Sequence, residues 1–225
     1  MKVVFAALLV ALSLTSAHAQ QFGAATYPIK ADDGTPISNF DLSPALQAKL
    51  ETLAGKVAVG NLQGDVTLLQ FYDLNCPYCR EAAADVDAIV RADKKLKLVF
   101  VPYAVLSVQS VQGALIELGA ANLASPDKFL DFHRRIYAGR GLIDGARTLA
   151  AAKDVGLDPA KVAATGNTEA TLKVLRATAD FGTEAKLVAT PAYVIGNVAI
   201  LGHPGRKPLE QVIAAMRQCG KVACG

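Results

Sequence analysis

The sequence predicts a mixed α/β domain in which a block of helices separates two sheet-forming halves. Three observations lead there. From Val66 to Ala104 the chain runs as a buried strand (VTLLQFY), a helix (CPYCREAAADVDAIVRAD) and a second buried strand (LKLVFVPYA). Strand, helix and strand of this length imply parallel pairing through a right-handed crossover. From about Leu106 to Leu187 the strand signals stop, and five helical segments follow, punctuated by Gly, Asp and Pro. Strands then return as PAYVIGNVAILG, where Gly196-Asn197 between two apolar runs suits a two-residue hairpin turn. A last helix is expected from about Lys207 to Arg217.

The division that follows is a signal peptide over residues 1–19 and a lead-in of hairpin and short helix over 20–64. The two halves of the α/β domain cover 65–105 and 186–218, with a helical insertion over 106–185 and a disulfide tail over 219–225. In the lead-in, IKADDGTPISNF places a Gly-Thr-Pro turn between two extended pieces. SPALQAKLETLAG starts a helix with Ser43 as cap and Pro44 in the first turn, aligns Leu46, Leu50 and Leu53, and ends at Gly55. In the helix after Cys76, Ala82, Val86, Ile89 and Val90 are expected to face the sheet, and Asp85, Asp87, Arg91 and Lys94 to face water.

Of 225 residues, 52% are hydrophobic and 19% charged, which suits a packed core. The net charge of +3 is spread without a basic stripe, and there is no tryptophan, so nucleic-acid binding is not expected. The amino terminus, MKVVFAALLVALSLTSAHAQ, has Lys2, an apolar stretch from Val3 to Leu14 and small residues at Ala17-His18-Ala19. That pattern predicts cleavage after Ala19 and a periplasmic or secreted protein. The apolar stretch falls short of the roughly 20 residues a bilayer span needs, so no stable membrane insertion is expected.

Export decides how the four cysteines are read, because exposed thiols oxidise outside the cytosol. Cys76, Cys79, Cys219 and Cys224 allow three full pairings. The local one, Cys76 with Cys79 and Cys219 with Cys224, is preferred because each pair is close in sequence. A disulfide exchanger needs a thiol that ionises near neutral pH and leaves easily. Cys76 sits where a strand hands over to a helix, so its sulfur faces the orphan N–H groups of the first turn, which favour a thiolate. Pro77 fits that first turn because its missing N–H would have been unpaired. Cys79 lies one turn deeper. A zinc site is not expected, since His133 and His203 are isolated and Cys219 and Cys224 are too widely spaced. Copper(I) binding by the reduced pair is a secondary role consistent with soft thiolates.

VTLLQFYDLNCPYCREA together with ATPAYVIGNVAILG resembles the DsbA-type branch of thioredoxin-fold oxidoreductases, with its DsbG- and ScsC-like members. The resemblance spans most of residues 57–217. It implies a thioredoxin fold with a helical insertion between its βαβ and ββα halves. It implies Cys76 as nucleophile, Cys79 as its partner, Pro77 and Tyr78 in the active-site loop, and Thr190-Pro191 facing the pair through a cis peptide bond. It implies no cofactor, reduced or unfolded exported proteins as substrates, and recycling by a DsbB-like or DsbD-like membrane partner. Two positions depart from the family pattern. Gln70 stands where a buried acid is usual, so steps that need a proton taken from Cys79 are expected to be slower. Ala189 replaces the usual glycine before the Thr-Pro loop.

The other candidates are expected to be structural. His133 is placed on a helix surface or boundary, His203 in the turn after the hairpin, and Asp73 as a polar strand end. Tyr78 is expected to tune Cys76 or touch substrate. The function expected is oxidation of cysteine pairs in exported proteins; isomerase or reductase action, and copper binding without turnover, are the alternatives. An inactive relative that holds unfolded chains on the Thr-Pro face is a further one.

Overall fold

The computed structural model describes residues 25–224; the expected leader lies outside them. The strands are β1 (Asn39–Asp41), β2 (Val57–Gly60), β3 (Val66–Tyr72), β4 (Leu96–Pro102), β5 (Ala192–Ile195) and β6 (Val198–Leu201). The helices are α1 (Pro44–Thr52), α2 (Pro77–Ala92), α3 (Val108–Ala121), α4 (Pro126–Tyr137), α5 (Gly145–Asp154), α6 (Pro159–Gly166), α7 (Glu169–Glu184) and α8 (Arg206–Cys219). One sheet carries all six strands in the order β1-β6-β5-β3-β4-β2. Only β3 and β4 run parallel, as their helical crossover requires; the other neighbours are antiparallel.

Alternation along the strands divides the core between two faces. Leu68, Tyr72, Leu98, Phe100, Tyr193 and Ile195 pack with Val86, Ile89 and Val90 of α2 and with Leu209, Val212 and Ile213 of α8. Phe71, Val99, Val101 and Val194 turn the other way, toward Leu50 of α1 and Phe181 of α7. Phe71 stacks on Phe181 at 5.6 Å between ring centroids and meets Tyr103 edge-on at 6.3 Å. Each large apolar side chain taken fully out of water contributes about 1.5–3 kcal/mol before chain entropy is counted.

Side-chain caps set the helix starts. Ser43, Ser107, Ser125, Asp144, Asp158 and Thr168 each accept a backbone N–H from the first turn of the helix that follows. Helix α2 has no side-chain cap; Cys76 occupies that position with Pro77 next. The expected core face of α2 is as read, with Ala82, Val86, Ile89 and Val90 buried; of the residues expected to face water, Arg91 and Lys94 are exposed and Asp85 and Asp87 are half-buried.

The lead-in differs from expectation in one respect. Its Gly-Thr-Pro bend closes only a Lys30–Pro36 bridge. The piece after the bend instead joins the main sheet as β1 beside β6, and a further strand after α1, β2, pairs beside β4. Strands of three and four residues are too short to show alternation, so their pairing is a property of the assembled sheet.

Within the insertion, α3 and α6 approach at Gly119, where an added Cβ would lie against Val162 O and 2.7 Å from Gly166 N. Helix propensity alone would make Gly119→Ala stabilising by about 1 kcal/mol, whereas overlap with backbone that cannot step aside costs about 1–3 kcal/mol or more. Gly119→Ala is therefore expected to lower the urea midpoint, and a raised midpoint would show that the two helices are not locked at this contact.

Candidate active site

The corner between β3 and α2 is built on a carboxylate. Asp73 is fully buried. Its Oδ1 accepts the Asn75 N–H at 2.8 Å and the Ser110 hydroxyl at 2.6 Å. Its Oδ2 accepts the N–H groups of Val105 and Leu106, both at 2.9 Å. Asn75 extends the network: its amide donates to Ile143 O and accepts from Ile143 N, each at 2.8 Å. Asp73 is thus the hub that ties the corner to the β4–α3 and α4–α5 loops, more than the polar strand end expected. The sequence does carry a signal for it, since Asp two residues before Asn75 in a strand-to-helix corner is the Asx-turn pattern.

On this corner, the Asp73 carbonyl accepts the Cys76 N–H at 3.1 Å. Cys76 and Cys79 are both thiols here, 5% and 1% exposed. The nucleophile candidate is therefore more enclosed than the sequence suggests. Cys76 Sγ donates to Thr190 O at 3.0 Å, and the Thr190-Pro191 bond is cis. The Thr-Pro loop and the cysteines, far apart in sequence, meet as expected. A hydrogen bond from the Cys79 thiol is the main cause that brings the Cys76 pKa down to about 6. Burial opposes it, and the Thr190 hydroxyl and the Cys79 and Tyr78 backbone N–H groups add to the lowering. Burial, then the bond to Cys76 and its charge, pushes Cys79 strongly up. Cys219 and Cys224 form a disulfide at the end of α8.

In β3 Gln70 is buried, 2% exposed, its Oε1 without a partner among the described residues. Across the sheet it is flanked by Phe100 and Tyr193. On the Phe100 side the His133 ring stacks at 4.0 Å, and His133 Nδ1 meets Glu117 Oε1 at 2.7 Å. His133 is 4% exposed, which corrects the expected surface or boundary placement. The reason is that α4 packs on both the sheet and α3, and its apolar stripe is completed by an imidazole whose polar atom Glu117 satisfies. On the Tyr193 side, the hydroxyl meets His203 Nδ1 at 2.8 Å and His203 Nε2 meets Asp85 Oδ2 at 2.9 Å. His203 does lie in the turn after the hairpin, but its side chain bridges two elements. His133 does fall on the buried stripe of α4 at helical spacing from Phe129 and Ile136, whereas no periodicity marks His203, whose partners come from distant elements.

Around the pair the surface is apolar. Tyr78 is 65% exposed, Val105, Leu106, Leu142 and Val188 are exposed on the loops tied to Asp73, Asn75 and Thr190, and Val108 is exposed at the start of α3.

Asp73→Ala is expected to destabilise by about 3 kcal/mol or more, because it strands several buried donors. A loss under about 1 kcal/mol in urea unfolding would show that the carboxylate does not hold the corner. In the reduced protein, Cys76 alkylation is expected to rise with a midpoint near pH 6. A depressed pKa contributes stability that is full above the unfolded value and lost as pH falls through the folded one. The stability difference between the reduced protein and Cys76→Ala is therefore expected to grow in favour of the native residue from pH 6 toward 9, and a flat difference would place the midpoint elsewhere.

Comparison with known proteins follows this geometry. The family model described as Thioredoxin matches residues 52–215. A thioredoxin-like oxidoreductase from Silicibacter pomeroyi DSS-3 superposes with a TM-score of 0.68 at 25% identity, covering 77% of this chain and 98% of that one. A periplasmic thioredoxin-like protein from Salmonella enterica serovar Typhimurium gives 0.67 at 23% identity, over 78% and 97%. The thiol-disulfide exchange protein alpha-DsbA2 from Wolbachia pipientis gives 0.67 at 18% identity, over 76% and 96%. Among curated protein sequences none matches this chain.

Proposed function

The chain belongs to the thioredoxin family, and from that premise we propose that it is an exported thiol–disulfide oxidoreductase that oxidises cysteine pairs in other exported proteins. The observation that carries this reading is the asymmetry of the two sulfurs. Cys76 stands at the N-cap position of α2 beside Thr190 O with a pKa near 6, while Cys79, one turn deeper, is pushed strongly up. A sulfur stabilised as a thiolate is a good leaving group, and its stabilisation favours the reduced enzyme, which makes the disulfide form an oxidant. The leader over residues 1–19, and solved relatives described as periplasmic or as thiol-disulfide exchange proteins, support work outside the cytosol.

In the oxidising direction a substrate thiolate attacks Cys76 Sγ of the Cys76–Cys79 disulfide. The Cys76–substrate bond forms, and Cys79 leaves with the electron pair and takes a proton. A second substrate thiolate attacks the substrate sulfur, the substrate disulfide forms, and Cys76 leaves as its stabilised thiolate. The substrate has lost two electrons and the enzyme pair has gained them. A quinone-linked DsbB-like partner in the membrane reoxidises the pair, or a DsbD-like reductant keeps it reduced where the protein acts as isomerase. Pro77, Tyr78, Thr190 and Pro191 frame the reacting sulfur, and the exposed apolar residues around it suit reduced or unfolded chains, whose own apolar side chains are accessible. The Cys219–Cys224 disulfide is a terminal staple, worth about 2 kcal/mol for so short a loop.

The test is the reduction potential of Cys76–Cys79 in glutathione buffers with the Cys219–Cys224 disulfide intact. A value near about −120 mV is expected for an oxidant; one near about −270 mV would reverse the direction. Cys79→Ser is expected to accumulate a Cys76 mixed disulfide with substrate and Cys76→Ser to abolish exchange, with intact mass spectrometry as the readout.

A further inference from the structure

The loop between α4 and α5 is gathered around two guanidinium groups. Arg80 follows Cys79 directly in α2, and its backbone N–H donates to Cys76 O at 3.1 Å. Its guanidinium donates to Tyr137 O at 3.0 Å, Gly139 O at 2.8 Å and Gly141 O at 3.0 Å. Arg147 of α5 donates to Ala138 O and Arg140 O, each at 2.7 Å, and to Gly139 O and Gly141 O, each at 3.2 Å. Gly139 and Gly141 have φ of 82° and 93°, a backbone that glycine adopts freely and that lets the loop fold in on the two arginines. Further on, the same loop is tied to Asn75, the residue before Cys76, through Ile143 N and Ile143 O. It is thus fastened to both residues that bracket the Cys76–Cys79 motif.

Carbonyl dipoles solvate these two charges without cancelling them. Because they share Gly139 O and Gly141 O, the guanidiniums stand no farther apart than two hydrogen bonds allow, where like charges repel. Burial, then the Arg80 charge, pulls the Arg147 pKa down, as an unneutralised pair requires. Arg140, between the two glycines, is exposed and adds a third cation. None of the three is ion-paired among the described residues. The acids closest to them in sequence are Glu81, exposed on α2, and Asp144, whose Oδ1 accepts the Arg147 N–H as the cap of α5. Three cations against two acids leave the loop net positive. Arg80 lies far from the other two in sequence, so no charge run in the chain marks the group. Apolar surface adjoins it: Leu142, 66% exposed, follows Gly141, and Tyr78, 65% exposed, stands two residues before Arg80.

We propose that this loop makes the exchange site selective for acidic segments, so that a substrate cysteine flanked by Asp or Glu is preferred over one flanked by Lys or Arg. The inference rests on the disulfide-exchange reading above and names its substrate class. Arg140 is the specificity-determining residue, and Arg80 and Arg147 are positioning residues that hold the loop and its field beside the cysteines. An acidic segment that rests on Tyr78 and Leu142 brings its carboxylate to a guanidinium, where a charged hydrogen bond forms at the edge of an apolar surface. A basic segment on the same surface is repelled. The causes that bring Cys76 down are hydrogen bonds, from Cys79 first and then from Thr190 and the backbone. Removing Arg140 therefore leaves the acidity of that sulfur in place and changes only which chain approaches it.

The test uses the full oxidised chain and two cysteine peptides of one sequence, alike except for Glu or Lys on either side of the cysteine. A peptide thiolate attacks Cys76 Sγ, the Cys76–peptide bond forms, and Cys79 leaves with the electron pair and takes a proton. A second peptide thiolate attacks the bound peptide's sulfur, the peptide disulfide forms, and Cys76 leaves as a thiolate. Two peptides have then lost two electrons and the enzyme pair has gained them. Acid-quenched mass spectrometry gives the rate of the first step. The native chain is expected to react faster with the Glu peptide at low ionic strength, and the preference to fade at about 1 M salt. Arg140→Glu is expected to lower the Glu-to-Lys rate ratio about tenfold, the lower end of what electrostatic steering contributes, and Arg140→Gln to lower it less. All variants meet the same peptides, so the peptides' own thiol acidity drops out of the comparison. The midpoint of Cys76 alkylation by neutral iodoacetamide is expected to be the same in Arg140→Gln as in the native chain. A ratio that Arg140→Glu leaves unchanged overturns the proposal, as does a preference that survives about 1 M salt. A shifted alkylation midpoint also overturns it, since the loop would then act on Cys76 itself. Binding to vesicles of anionic phospholipid that Arg140→Glu abolishes, with the peptide ratio unmoved, overturns it in favour of a membrane surface. Failure of the native chain to react with either peptide overturns the exchange reading itself.

Discussion

The buried carboxylate of Asp73 is the constraint from which the rest of the site follows. A strand that ends in the middle of a sheet must release its backbone into a helix without stranding polar groups. Here a single side chain accepts four of the donors that the turn and its neighbouring loops would otherwise leave unpaired. Because those donors belong to the β3–α2 corner, to the start of the β4–α3 loop and to α3, the helical insertion is fixed relative to the sheet at the point where the cysteines emerge. Cys76 then needs no cap of its own. The first turn of α2 is left with its N–H groups directed at a sulfur, and the cis Thr190-Pro191 loop supplies the carbonyl that closes the other side.

Much of this was legible in the sequence, and the legible part is what local chemistry dictates. The βαβ unit, the five helices of the insertion and the Gly196-Asn197 hairpin follow from apolar periodicity, caps and turn chemistry, while the meeting of Cys76 with Thr190 is what the family resemblance implies. What was not legible depends on pairing between distant segments. Strands β1 and β2 are too short to carry a pattern and exist because β6 and β4 offer them an edge. Asp73, His133 and His203 look like isolated polar residues until the fold brings Ser110, Glu117, Tyr193 and Asp85 to them.

The arrangement of the cysteines reflects a conflict between two demands on one helix. The stabilised sulfur of Cys76 wants a polar, donor-rich first turn, and the sulfur one turn later must be shielded so that the two differ in acidity. Shielding Cys79 raises the energy of its charged form and so makes the handling of its proton the harder step.

The two short lead-in strands have a consequence for how such a protein lives among its proposed clients. Extended chains with unmet backbone groups will add to any long open strand they encounter, and a sheet that handles them risks being captured as one more layer of aggregate. This sheet ends in strands of three and four residues. Residues 26 and 27 also lie across the outer one, Thr26 N–H donating to Asn39 O at 3.1 Å and Tyr27 N–H to Asn39 Oδ1 at 2.7 Å. With its margins blunted in this way, the sheet offers a visiting chain no long open strand, so the proposed exchange at Cys76 does not compete with strand addition to the scaffold.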